Sequence, residues 1–142
     1  MSFVYFTDRD LGKRFPEILR AGGLTVERHD DHFAPETGDE VWLESVGRRG
    51  WIALTHDRRI RYKPNERDAV MRHGVALLVI VGAAPFPELA RAFVATGPAI
   101  ERFLSRHTPP FIAKIHRPPP GERPRRGAAS GRIELWYPPA AG

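Results

Sequence analysis

Residues 51–63 read WIALTHDRRIRYK: an apolar run of strand character, Trp51 to Thr55, then His56 and Asp57, then Arg58, Arg59, Arg61 and Lys63 in quick succession. An unbroken apolar run of this length suits a strand covered on both faces, as in a parallel sheet. The runs on either side have the same character. Phe3–Phe6 and Leu24–Glu27 precede it, and Val75–Val81, seven apolar residues rich in β-branched and aliphatic types, follows. Between them lie helical patterns. Leu11, Phe15, Ile18 and Leu19 recur at helical spacing before Gly22-Gly23, with Pro16 either in the first turn or at a bend. Thr37-Gly38-Asp39-Glu40 has the form of a capping box opening a helix through Val46, and Gly47–Gly50 closes it. Asn65–His73 follows Pro64 as a short helix, and Phe86 to Leu104 carries an apolar stripe broken at Gly97-Pro98. Phe111–Ile115 reads as a further strand. This alternation predicts a single α/β domain, a mostly parallel sheet flanked by helices on both faces.

The 142 residues suffice for one core, and 42% hydrophobic against 27% charged residues is a globular balance. The domain is expected over residues 1–117. Residues 118–142 read as a basic Pro/Gly-rich tail, PPPGERPRRGAASGR, ending in a short strand-like stretch, Arg132–Tyr137. With no cysteine, disulfides, thiolate catalysis and Cys-based zinc sites are excluded. Any metal must be held by oxygen or imidazole, and carboxylates favour Mg²⁺ or Mn²⁺. No run approaches membrane-spanning length and MSFVYFTDRD lacks the form of a leader, so a cytoplasmic protein is expected. A formal charge of +5 allows a polyanionic partner.

In parallel sheets ligands bind beyond the carboxyl ends of strands. Asp8 follows the first strand, Asp57 follows the third, and Asp39 opens the helix leading into that third strand. Carboxylates brought together repel unless a cation sits between them. A divalent ion so held polarises phosphodiesters and acidifies water. Asp8, Asp39 and Asp57 are therefore the expected ligands and catalytic groups, with Asp10 and Glu40 as secondary candidates. Arg58, Arg59, Arg61 and Lys63 are expected to hold phosphates, with Tyr62 available to stack on a base. His29, His32 and His56 match no compact zinc spacing and read as surface histidines, and Trp42 and Trp51 as core.

FTDRDLG, TGDEVWL and GWIALTHDRRIR, in this order and at these separations, resemble the PIN-like nuclease domains of the VapC toxin type, in their compact branch. The resemblance covers about residues 3 to 81. It implies a Rossmann-like PIN fold, a Mg²⁺- or Mn²⁺-dependent endoribonuclease that acts as the toxin of a toxin–antitoxin pair, and an antitoxin protein that blocks the site. Homodimers are common in the type. The metal-binding carboxylates would be Asp8, Asp39 and Asp57. Many PIN domains carry a fourth acid soon after the third motif; here Arg59 stands two residues beyond Asp57 and Asp68 lies on a separate helix.

Two other classes fit parts of the pattern. One is a PIN-like domain without catalysis that binds RNA or protein through its basic loop and tail. The other is a receiver-like phosphoacceptor module, with Asp57 ending the third strand and Lys114 in FIAKIHRP, although VIVGA lacks the hydroxyl residue such a module needs.

Overall fold

A computed structural model describes residues 3–118 and 131–139, the Arg61 side chain excepted. The sheet has the order β2-β1-β3-β4-β5-β6. Its strands are β1 (Val4–Thr7), β2 (Thr25–Arg28), β3 (Ile52–Thr55), β4 (Ala76–Ile80), β5 (Phe111–His116) and β6 (Arg132–Tyr137). The first five run parallel and β6 is antiparallel to β5. The expected α/β architecture is therefore present. Among the described residues five α-helices cover it: α1 (Arg14–Ala21), α2 (Asp39–Arg49), α3 (Pro64–Arg72), α4 (Phe86–Ala95) and α5 (Gly97–Arg106).

Alternate strand residues feed two cores, as the period of two requires. Tyr5, Leu54 and Leu78 join Phe15 and Leu19 of α1, Phe93 of α4 and Ile100 of α5. Phe6, Ala53, Leu77 and Val79 join Trp42, Leu43 and Val46 of α2 and Val70 of α3. Phe6 stacks on Trp42 with ring centroids 5.4 Å apart, and truncating such a buried ring costs about 3–5 kcal/mol.

Helix boundaries follow local chemistry. Pro16 is buried in the first turn of α1, where its missing N–H leaves no bond unmade. The break expected at Gly97-Pro98 separates α4 from α5. The capping box does not form. The N-cap of α2 is Gly38 without a side-chain bond, and Glu40 instead accepts a 2.8 Å hydrogen bond from Arg72 of α3. A charged partner on the neighbouring helix outcompetes the neutral backbone donor.

Because β1 connects to β2 on one side and the chain then returns to β3 on the other, the switch point lies between β1 and β3. Their carboxyl ends open a crevice there. Residues Arg132–Tyr137 form the edge of this same sheet, while residues 119–130 and 140–142 of the basic segment lie outside the described residues.

Candidate functional site

Register places the first acid. The Asp8 N–H donates to the Leu54 carbonyl at 2.9 Å, so Asp8 prolongs β1 beside the end of β3. One Asp8 oxygen accepts from the Arg9 N–H at 2.7 Å, which starts a single 3-10 turn, Arg9–Leu11. That turn carries Asp10 back toward β3. Thr55, the fully buried last residue of β3, then has its hydroxyl oxygen 3.0 Å from Asp8 Oδ2 and 3.1 Å from Asp10 Oδ2. The His56 N–H donates to the same Asp10 oxygen at 3.0 Å, and the Asp57 N–H donates to Thr55 Oγ1 at 3.2 Å.

A hydroxyl has one proton and cannot donate to two carboxylates at once. One of the two carboxyls must carry a proton, or a cation must lie nearby, for both contacts to be favourable. The electrostatics agree. Burial, then the Asp10 charge and more weakly that of Asp39, pushes Asp8 up to about 7, against the hydrogen bonds from Thr55 and Arg9. Asp10 is also raised, chiefly by burial.

Asp39 completes a cleft of about 390 Å³ lined by Asp8, Arg9, Asp10, His29, Pro35, Thr37, Asp39 and Trp42. Asp39 Oδ1 accepts from Trp42 Nε1 at 2.9 Å, so the indole fixes the carboxylate at the helix start. Asp57 faces elsewhere. It lines an adjoining cleft with Asp10, His56, Arg58 and Arg59, and its Oδ2 accepts a 2.5 Å hydrogen bond from Lys63 Nζ. Burial raises the Asp57 pKa, but Lys63 and the Arg59 N–H outweigh it and the net shift is downward. Among the described residues, Asp10 alone borders both clefts.

Of the expected residues, the fold thus gathers Asp8, Asp10 and Asp39 around one cleft, sets Asp57 beside it on Lys63, and places Glu40 on Arg72. Arg58 and Arg59 are exposed beside Asp57; the Arg61 side chain lies outside the described residues. Lys114 has its ammonium 4.2 Å from the Trp136 ring centroid, and the Asp57 partner is Lys63.

Thr55 was not among the residues expected from sequence, although a hydroxyl ending an apolar strand directly before His-Asp is a readable signal. His29 is a correction: it is not a surface histidine but 2% exposed, packed among Phe6, Phe33 and Trp42. The polar loop around it gave no hint that the aromatic rings would close over it. Its Nδ1 is buried without a hydrogen bond, and burial lowers its pKa. His32, by contrast, is an outer residue at 3.0 Å from Glu27, and His56 Nε2 lies 3.1 Å from the Gly82 carbonyl oxygen. Trp42 is core as expected, and Trp51 packs partly buried against it.

Among the described residues, no group of three or more His, Asp or Glu side chains is gathered closely enough to hold a metal ion unaided, and no helix is long and apolar enough to cross a membrane. A family model described as a PIN like domain matches residues 3–82, which span β1 through β4 and hence every acid of the clefts. Neither curated proteins nor solved structures give a match to the chain.

Proposed function

Because the chain belongs to the PIN-like domain family, we propose that the acidic cleft is the centre of a Mg²⁺- or Mn²⁺-dependent endoribonuclease, the toxin component of a toxin–antitoxin pair. The observation that carries the reading is the single Thr55 hydroxyl held between Asp8 and Asp10. Two carboxyls so placed at a switch point are costly at neutral pH without a cation.

The donors suit a hard divalent ion of open, hydrated coordination. Mg²⁺ keeps several waters and takes one or two carboxylates plus substrate phosphate, so two converging acids with Asp39 across the cleft meet its needs without an enclosing cage. Asp8 and Asp10 would hold it, Asp39 would serve as ligand or base, and Asp57 would join only on leaving Lys63. When bound, such an ion supplies Lewis acidity and a water of lowered pKa.

The chain's own groups account for the rest. Thr55 orients the two carboxyls, and Trp42 holds the Asp39 oxygen toward the cleft rim. Arg58 and Arg59, exposed at the adjoining cleft, attract the RNA backbone and set its register. An antitoxin that covers the cleft would silence the enzyme, and self-association is compatible with this arrangement.

The test is cleavage of a mixed structured RNA pool with Mn²⁺, Mg²⁺ or EDTA, using the parent protein, Asp8→Asn and Asp57→Asn. Cutting that needs metal and is lost in folded Asp8→Asn supports the nuclease; equal cutting by both variants would sink it. A second reading has its own support. Arg59 stands where many PIN domains have an acid, and Lys63 occupies Asp57, which together favour a domain that binds RNA with little or no cleavage. Metal-independent binding by an inactive parent would select it.

A further inference from the structure

We infer that Lys63 is a positioning residue that couples RNA binding to completion of the acidic site. Its ammonium holds Asp57 aside in the free protein, and a phosphate of the bound RNA backbone draws the ammonium off and returns Asp57 to Asp10. The inference rests on the ribonuclease reading and adds to it a regulation of the same site.

The first observation is the unequal company of the acids. Asp8 and Asp10 meet the Thr55 hydroxyl and the N–H groups of Arg9 and His56, and Asp39 meets the indole N–H of Trp42. These donors are neutral. Among the described residues, Asp57 alone of the cleft acids accepts from a charged donor, Lys63 Nζ at 2.5 Å, and Arg59 Nε stands 3.9 Å from its other oxygen. An ammonium thus occupies the one carboxylate that a divalent ion would otherwise claim.

The second observation is how little must move. The Asp57 N–H is anchored on Thr55 Oγ1, the same oxygen that faces Asp8 and Asp10, and Asp57 and Asp10 line one cleft of about 470 Å³. Turning the Asp57 side chain breaks the Lys63 pair and the 3.0 Å bond from the Arg59 N–H, and leaves the backbone bond to Thr55 in place. The Lys63 backbone is fixed as well. A single 3-10 turn, Ile60–Tyr62, is pinned by the buried Ile60, and the Lys63 carbonyl accepts from the Arg67 N–H at 2.9 Å as α3 begins. Only the flexible four-carbon stem has to swing.

The third observation is where the ammonium lies. Lys63 is 36% exposed, and the carboxylate it holds opens on the cleft that Arg58 and Arg59 border, where a phosphate would be drawn. A partly solvated ion pair of this kind is weak enough to exchange. The exchange keeps every charge paired, with the phosphate on the ammonium and Asp57 free for a divalent ion. Neither ligand achieves both alone, so RNA and ion should each tighten the binding of the other.

The experiment is calorimetric titration of the full-length protein with Mn²⁺, without RNA, on the parent, Lys63→Gln, Asp57→Asn and the double variant. Lys63→Gln should bind Mn²⁺ roughly 5-fold more tightly or better, and the same substitution should gain much less in the Asp57→Asn background. Loss of a nearby positive charge would help Mn²⁺ in both backgrounds alike, so the part that needs Asp57 reports the coupling. Fluorescence anisotropy of a labelled 2′-O-methyl RNA at fixed ionic strength adds the other half. Replacing EDTA by Mn²⁺ should tighten RNA binding in the parent and do so clearly less in Lys63→Gln. Equal Mn²⁺ affinity in parent and Lys63→Gln, a gain undiminished by Asp57→Asn, or an equal effect of Mn²⁺ on RNA binding would overturn the coupling and leave the nuclease standing. A Lys63→Gln protein that binds no Mn²⁺ would remove both.

Discussion

Asp57 accepts a 2.5 Å hydrogen bond from Lys63, six residues along the chain, and so turns from the cleft that Asp8 and Asp10 share. The ion pair is partly buried, with Lys63 36% and Asp57 23% exposed. Lys63→Ala should therefore lower stability by only about 0.5–1 kcal/mol at neutral pH, measured by urea denaturation. Because the folded Asp57 pKa is depressed, this contribution is present above the unfolded carboxylate value and is lost as pH falls through the folded one. A difference between variant and parent that persists at pH 2.5 would argue against the pairing.

Asp8→Asn should abolish cleavage, by roughly 100-fold or more, and yet stabilise the metal-free protein at alkaline pH. The sign follows from proton binding. With Asp8 at about 7 in the folded state against an ordinary 3.8, the native form binds the proton more tightly, so stability is greatest at low pH and declines as pH rises through 7. Thermal unfolding in EDTA from pH 5 to pH 9 should fall for the parent and run flatter for the variant. Parallel curves would show that Asp8 is not strained by its neighbours.

Thr55→Val keeps the shape of a fully buried side chain and removes the hydroxyl between Asp8 and Asp10. A group that orients ligating carboxylates typically matters 10- to 100-fold, so activity should drop by about that factor and Thr55→Ser should restore most of it. Calorimetric titration with Mn²⁺ should show the same ordering. If Thr55→Val were as weak in stability as in activity but unchanged in Mn²⁺ affinity, the hydroxyl would be a packing group only.

His29 offers a prediction of opposite pH sense to Asp8. Its folded pKa is lowered by burial, so the unfolded chain takes up protons that the native one refuses, and the His29 contribution to stability falls as pH drops below about 6.5, opposing that of Asp8. His29→Phe should be near neutral at pH 8, where the buried imidazole is uncharged and Asp30 stands 3.8 Å from Nδ1, and should gain stability relative to the parent as pH falls from 7 to 5. Chemical denaturation at the two pH values checks it.

Much of this protein was legible in order of sequence. The apolar runs gave five strands to within a residue or two, and Asp8, Asp10, Asp39 and Asp57 all lie at the crevice the alternation predicted. Ranking those acids was beyond local pattern. Sequence favours Asp8 and Asp57, which stand at strand ends, over Asp10, and nothing in spacing says which carboxylate a hydroxyl 45 residues away will meet. His29 failed for a related reason: its burial depends on Phe6 and Trp42, distant in sequence and brought over it by the β1–α2 packing.

By itself, then, the sequence determined the layering and the edge of the sheet where acids collect, because hydrophobic period and chain reversal are local properties. Tertiary structure decided which acids share the Thr55 hydroxyl, which one Lys63 takes, and that Trp136 faces the same way as Tyr137. Those outcomes depend on differences of a few ångströms in register between strands far apart in the chain. Hydrogen bonds and charge pairs weaken steeply over such distances, so only the assembled sheet could choose among them.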